Sequence, residues 1–231
     1  MRNANRVLTV ILMAVCVMSF YGCKTLPKDD SVIPAKEIKE EVTGAKKAEP
    51  ANIEEPTGEI LMLADFNRGV KPNLIGGDFG AWDRDPEDTT QYCEATFDYD
   101  VKVGNEGFAM KLVYDVESPE PAYNGFWMKL QNMDFKNYSK IVFAAKRGGE
   151  EDTEGSPAAR FVVELKNAKG EVGKSMVTGI TSDWTIKSVP FKMLSELSDF
   201  SKMTEFVIVF EDKRSQPKTG VIYIDNIYVA E

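Results

Sequence analysis

Residues 221–231 read VIYIDNIYVAE, and the placement of this stretch decides the fold. In an extended chain Val221, Tyr223, Ile227 and Val229 point to one side and Ile222, Ile224 and Tyr228 to the other, so both faces are apolar. A strand of this kind is covered on both sides. Asp225 stands in its middle, on the side expected to carry Tyr223 and Ile227, where an ionised carboxylate is costly unless a cation or several donors satisfy it. Calcium, a lysine or backbone amides would each serve.

Working outward from this strand, the chain from Glu59 onward repeats short runs of alternating character. Phe108, Met110, Leu112 and Tyr114 alternate with Ala109, Lys111, Val113 and Asp115, and Phe161, Val163 and Leu165 with Val162, Glu164 and Lys166. Further strands are expected at 93–99, 124–131, 140–146, 173–179, 184–190 and 204–210, after an opening strand in EILMLADF. Turn residues stand between many of them, as at Gly104-Asn105, Gly148-Gly149 and 167–170. The single helical candidate is 192–197. About ten strands with almost no helix predict an all-β fold, an antiparallel β-sandwich of jelly-roll type spanning 58–231.

The segment before this domain has a different composition. Arg2 and Arg6 precede the apolar run VLTVILMAVCVMSF at 7–20, too short to span a bilayer comfortably but suited to a secretory signal in residues 1–22. Gly22-Cys23 at its end resembles the bacterial lipobox, in which the cysteine is acylated and becomes the mature N-terminus. That resemblance implies a protein of the cell envelope held to a membrane by lipid at Cys23, at the outer membrane, periplasm or cell surface, and Lys24 after it favours by the same resemblance the outer membrane in a cell that has two. Residues 23–57 are rich in Lys, Glu, Ala and Pro, with Pro27, Pro34, Pro50 and Pro56 interrupting any long helix, and read as a solvated tether.

Composition narrows the chemistry. A net charge of -9 argues against nucleic acid, and the absence of histidine removes Ser-His-Asp and Cys-His catalysis together with the commonest zinc ligand. Of three cysteines only Cys93 belongs to the folded part, so no disulfide forms within the domain. With no basic residue beside it, Cys93 reads as a strand residue rather than a nucleophile.

Two stretches carry candidate binding residues. Residues 67–91 form a long irregular segment in which Gly76, Gly77 and Gly80 let the backbone turn while Phe79 and Trp82 give it aromatic bodies; the two rings either meet a ligand or plug one end of the sandwich. In Tyr123-Asn124-Gly125-Phe126-Trp127-Met128-Lys129-Leu130, alternation puts Phe126, Met128 and Leu130 in the core and Trp127 and Lys129 on the other face. An exposed ring with hydrogen-bonding neighbours suits a sugar, whose C–H face stacks while its hydroxyls bond sideways; the other reading packs Trp127 beneath a loop. Paired carboxylates such as Asp83 and Asp85, Glu150 to Asp152, and Glu211 and Asp212 look like solvated loop charges.

ADFN at 64–67, the glycine-rich segment, GFW at 125–127, the run from Asp183-Trp184 to Val189-Pro190-Phe191, EFVIVF at 205–210 and YIDNIYV at 223–229 together resemble carbohydrate-binding module family 11 and the related complex I intermediate-associated family. The resemblance implies a galactose-binding-like β-sandwich that binds polysaccharide or cell-wall glycan without catalysis, with calcium as structural support. It implies ligand-facing roles for Phe126, Asp199, Phe200 and Phe210 beside Trp82, Tyr123, Trp127 and Lys129, and metal-ligating roles for Asp65, Asn67 and Asp225. It also admits a module that binds a protein partner, and a carboxylate-based glycan hydrolase is the third reading.

Overall fold

The computed structural model describes residues 58–148 and 157–231, in which the expected alternation becomes eleven strands in two antiparallel sheets. One sheet has six strands: β1 (Ile60–Ala64), β3 (Tyr92–Asp98), β4 (Ala109–Asp115), β6 (Lys140–Gly148), β9 (Thr185–Pro190) and β11 (Thr219–Ala230). The other has five: β2 (Phe79–Asp83), β5 (Tyr123–Met133), β7 (Ala159–Asn167), β8 (Val172–Ile180) and β10 (Met203–Glu211). Their orders are β3-β4-β11-β6-β9 and β2-β5-β10-β7-β8. The fold is the all-β sandwich that the pattern predicts.

β11 is the axis of its sheet. β6 lies along one edge, while β4 and β1 share the other, β4 against Thr219 to Ile224 and β1 against Ile227 to Ala230. Its alternation does not run unbroken as expected. The register shifts after Asp225, and Asn226 adopts a positive φ of 46°, so Ile222 and Ile224 before the bulge and Ile227 and Val229 after it all enter the central core. Tyr223 therefore does not share a face with Ile227 and Val229. Tyr228 and Ala230 belong instead to a small cluster with Val142 and Met62. The strand is covered on both faces, as its composition requires.

Between the sheets, aromatic rings do most of the filling. Tyr114 of β4 stacks on Phe210 of β10 with ring centres 3.7 Å apart, and Phe143 of β6 stacks on Phe161 of β7 at 6.3 Å and meets Phe206 of β10 edge-on at 6.0 Å. Each such fully buried ring contributes about 1.5–3 kcal/mol by leaving water. Residues 67–91 depart from the expected irregular segment: Phe79–Asp83 forms β2 and pairs with β5 from Phe79↔Met128 to Asp83↔Asn124. Gly80 and Ala81 give it a weak strand pattern, and only Phe79 drives it inward. The expected helix at 192–197 is a single 3-10 turn, Phe191–Met193. The signal, the lipobox cysteine Cys23, the tether and Glu150 to Asp152 lie outside the described residues. Among the described residues no helix is long and apolar enough to cross a membrane.

Candidate functional site

Because Phe126, Met128 and Leu130 of β5 and Phe206, Ile208 and Phe210 of β10 point into the core, the residues between them point away from it. The strand register then aligns these outward residues into rows across the five-stranded sheet. The first row runs Lys129, Glu205, Lys166; the second Gly80, Trp127, Val207, Glu164, Lys174; the third Trp82, Gly125, Val209, Val162, Met176. Tyr123 stands opposite Glu211 beyond them. Gly125 contributes no side chain to its row and accepts none, since a β-carbon there would stand 1.9 Å from the Ile208 carbonyl oxygen.

The rows enclose an open groove of about 590 Å³. Trp82, Tyr123 and Trp127 form one wall; Val207 and Val209 make the floor and, with Val162, form the cluster against which both indoles pack; Glu164, Lys166 and Lys174 form the other side. Trp127 lies beside Gly80 and is fixed by its Nε1–H, which donates to the Ala81 carbonyl oxygen at 3.3 Å. The ammonium groups of Lys129 and Lys71 stand 5.4 and 5.9 Å from the Trp127 ring. Trp82 meets Tyr123 edge-on at 5.7 Å, and the Arg84 guanidinium stands 5.3 Å above the Tyr123 ring. The indole N–H of Trp82 has no hydrogen-bond partner among the described residues.

Charge in the groove is organised rather than scattered. Glu205 accepts from Lys129 and, at 2.7 Å, from Lys166; Glu164 pairs with Lys174 at 2.7 Å and Glu211 with Arg214 at 3.2 Å. Burial pushes the Glu205 carboxyl up, but the two lysines outweigh it and hold the group below the ordinary carboxylate range. The Glu164 partnership raises Lys174 in turn. The wall of rings can take the C–H face of a flat ligand, and the ion-pair rows offer donors and acceptors to polar groups at its edge.

Of the residues expected to face a ligand, Trp82, Tyr123, Trp127 and Lys129 come together here. Phe126 and Phe210 do not. Both are fully buried between the sheets, Phe126 beside Phe66 and Phe79 and Phe210 stacked on Tyr114, which corrects the placement implied by the family resemblance and, for Phe126, agrees with simple alternation. Asp199 and Phe200 lie elsewhere as well: Phe200 stacks on Phe191 at 4.6 Å, and Asp199 pairs with Lys169 at 2.9 Å, which holds its carboxyl well below the usual range. The sequence reading missed Glu164, Lys166, Lys174, Glu205, Val207, Val209 and Glu211 as groove residues. Their outward phase was readable from the alternation, but which strands stand side by side was not.

The expected metal ligands gather around the β3–β4 loop. The Asp225 carboxylate is almost fully buried and accepts from the backbone N–H groups of Val103 at 2.9 Å and Asn226 at 2.8 Å. Burial pushes its pKa up to about 7, and neighbouring Asp65 adds to the rise against those two hydrogen bonds. Asp65 Oδ1 accepts from Asn67 N–H, and the Asn67 side chain lies against Gly107 of the same loop. Backbone amides are thus the partners that Asp225 has among the described residues, and no group of three or more acidic or cysteine side chains gathers there or elsewhere among them to hold a metal ion. Two adjacent carboxylates without a cationic partner are nonetheless a donor set that suits a hard cation, which would draw its remaining ligands from amide and carbonyl oxygens and water.

Cys93 is buried, and burial first, then the charges of Asp83 and Glu94, push its thiol far above the ordinary value. It is inert packing, as its surroundings in the sequence imply.

No protein-family model matches the sequence, and no curated protein matches it either. Solved structures do. The chain is 18% identical to the family 11 carbohydrate-binding module of a cellulosomal cellulase of Clostridium thermocellum, with a TM-score of 0.53, over 76% of this chain and 96% of that one. It is 19% identical to the Clostridium thermocellum family 11 module in complex with a β-1,3-1,4-mixed-linked tetrasaccharide, again with a TM-score of 0.53, over 76% and 97%. An exo-β-agarase matches at 12% identity with a TM-score of 0.52, over 73% of this chain and 24% of its own. What the chain shares with these proteins is the fold, a jelly-roll β-sandwich of the kind found in carbohydrate-binding modules.

Proposed function

We propose that the domain binds polysaccharide without catalysis, in the groove across the outer face of the five-stranded sheet. The observation that carries this reading is the convergence of Trp82, Tyr123 and Trp127 from two strands on one open face, beside a row of paired lysines and glutamates. Rings provide a stacking surface and the paired charges provide oriented donors and acceptors, the combination a polyhydroxylated ring requires. Similarity of fold to modules that carry the name carbohydrate-binding supports the same reading. Hydrolysis is disfavoured, because a glycosidase needs one carboxylic acid kept protonated and the groove carboxylates are each paired with a cation.

The same proposal places the domain outside the cytoplasm, held to a membrane through lipid on Cys23 and spaced from it by residues 23–57. It includes a calcium ion as structural support near Asp65, Asn67 and Asp225, resting on the two carboxylates there, which accept backbone N–H groups but have no cationic partner among the described residues. Affinity electrophoresis of the full-length protein against glucans, mannans and cell-wall glycans tests the central part. Retardation by at least one glycan is expected, with loss of about tenfold in affinity for Trp127→Ala. Unchanged migration of folded protein in every gel contradicts it.

A further inference from the structure

We propose that the groove prefers an anionic glycan, a polysaccharide whose sugars carry carboxylates, over a neutral one. This rests on the carbohydrate reading above and specifies its ligand class.

The two signs of charge in the groove do not sit at the same depth. The side chains of Glu164 and Glu205 keep 11% and 15% of their surface exposed, whereas those of Lys174, Lys166 and Lys129 keep 46%, 35% and 49%. The acids are recessed and the ammonium groups stand above them. A lysine ammonium carries three donors, so each keeps donors in hand after serving its glutamate. A ligand entering the groove therefore meets a layer of N–H donors before it meets any carboxylate.

The charges also fail to cancel. Glu205 is shared between Lys129 and Lys166, which leaves one ammonium uncompensated. Arg84, above Tyr123 at the end of the groove, gives its guanidinium to the Pro121 carbonyl oxygen at 2.6 Å, and no carboxylate pairs with it among the described residues. The pairs Lys174–Glu164, Arg214–Glu211 and Lys71–Asp78 are balanced. Three lysines meet three glutamates in the groove lining itself, and Arg84 and Arg214 at its margin add an excess of positive charge there, on a chain whose net charge is -9. Neutral sugars offer donors as often as acceptors and do not need such a layer; a uronate ring offers an acceptor-only carboxylate at its edge while its C–H face remains free to stack on Trp127.

The test compares binding of the full-length protein to sodium polygalacturonate, to the same polymer after full methyl esterification, and to a neutral β-glucan, at low and high sodium chloride. The acid form is expected to bind about tenfold tighter than its ester, and the preference to shrink several-fold as salt screens it. In the double variant Lys166→Gln, Lys174→Gln the ratio of acid to ester affinity is expected to fall toward one. Equal affinity for acid and ester, with no effect of salt, overturns the preference while leaving glycan binding intact. Retention by no glycan at all overturns both. The ester comparison needs no variant, so misfolding of the double variant does not rescue the inference.

Discussion

Raising the pH from about 5 to about 8 in the presence of a chelator is expected to weaken the fold through one side chain, Asp225. Its carboxyl is pushed from 3.8 to about 7 by burial, assisted by Asp65. In the unfolded chain the group titrates at its ordinary value. Below that value both states hold the proton and the stabilising contribution is complete; between about 4 and 7 only the folded state holds it, so stability falls as pH rises, and above the folded pKa it levels off. Each pH unit of separation corresponds to about 1.4 kcal/mol, so the loss over the full span from about 4 to 7 is on the order of 4 kcal/mol, of which about 3 kcal/mol falls between pH 5 and 8. Asp83, raised by burial, adds in the same direction. Glu205, held low by its lysines, acts in the opposite sense, losing its contribution only as pH falls through its lowered value, and leaves the window near neutrality to Asp225. Asp225→Asn removes the titration: one of the two backbone donors, Val103 or Asn226, then faces an amide N–H, which costs about 1 kcal/mol at pH 5, yet the variant gains on the wild type as pH rises. Urea unfolding at several pH values reads both curves. A wild type whose stability is flat or rising from pH 5 to 8, or an Asn variant with the same slope as the wild type, refutes the reasoning.

Millimolar calcium is expected to flatten that slope and raise Tm, since a bound cation keeps Asp225 ionised in the fold; identical melting with calcium and with chelator counts against a site there. Phe126→Ala is expected to cost about 3–5 kcal/mol in urea unfolding, because the ring is fully buried among Phe66 and Phe79, and a loss below about 1 kcal/mol would mean that the ring is not in the core. Glu205→Gln leaves Lys129 and Lys166 facing each other and is expected to destabilise by about 1–2 kcal/mol, a difference that high salt reduces; a salt-independent effect contradicts the electrostatic account. Cys23→Ala is expected to abolish incorporation of labelled fatty acid, and labelling that persists in the variant refutes anchoring at that residue.

The layers were legible because the sandwich needs only period-two alternation, and the runs around Leu112 and Val163 carry it plainly. β2 was not, because Gly80 and Ala81 leave Phe79 as the sole strong inward residue and its strand character comes from pairing with β5. The bulge at Asn226 was hidden for a related reason: Tyr and Ile are acceptable on either face, so VIYIDNIYVAE has no residue that marks the change of phase. In the site, alternation alone put Trp127 and Lys129 outside and Phe126 inside, and the family resemblance misplaced Phe126 and Phe210. Glu205 and Glu164 gain their role only from register, which sets Glu205 between Lys129 and Lys166 and Glu164 beside Lys174. Cross-strand register between segments this far apart in the chain is a tertiary property, and no local pattern encodes it.

Three tryptophans give the most direct reading of where a glycan binds: Trp82 and Trp127 line the groove, and Trp184, just before β9 of the opposite sheet, does not. Titrating a glycan that retards the protein into nitrogen-15-labelled material, and following the indole N–H signals by NMR, should move those of Trp82 and Trp127 and leave Trp184 in place. Binding that shifts Trp184 while the two groove indoles stay still would contradict the assignment of the ligand to this face.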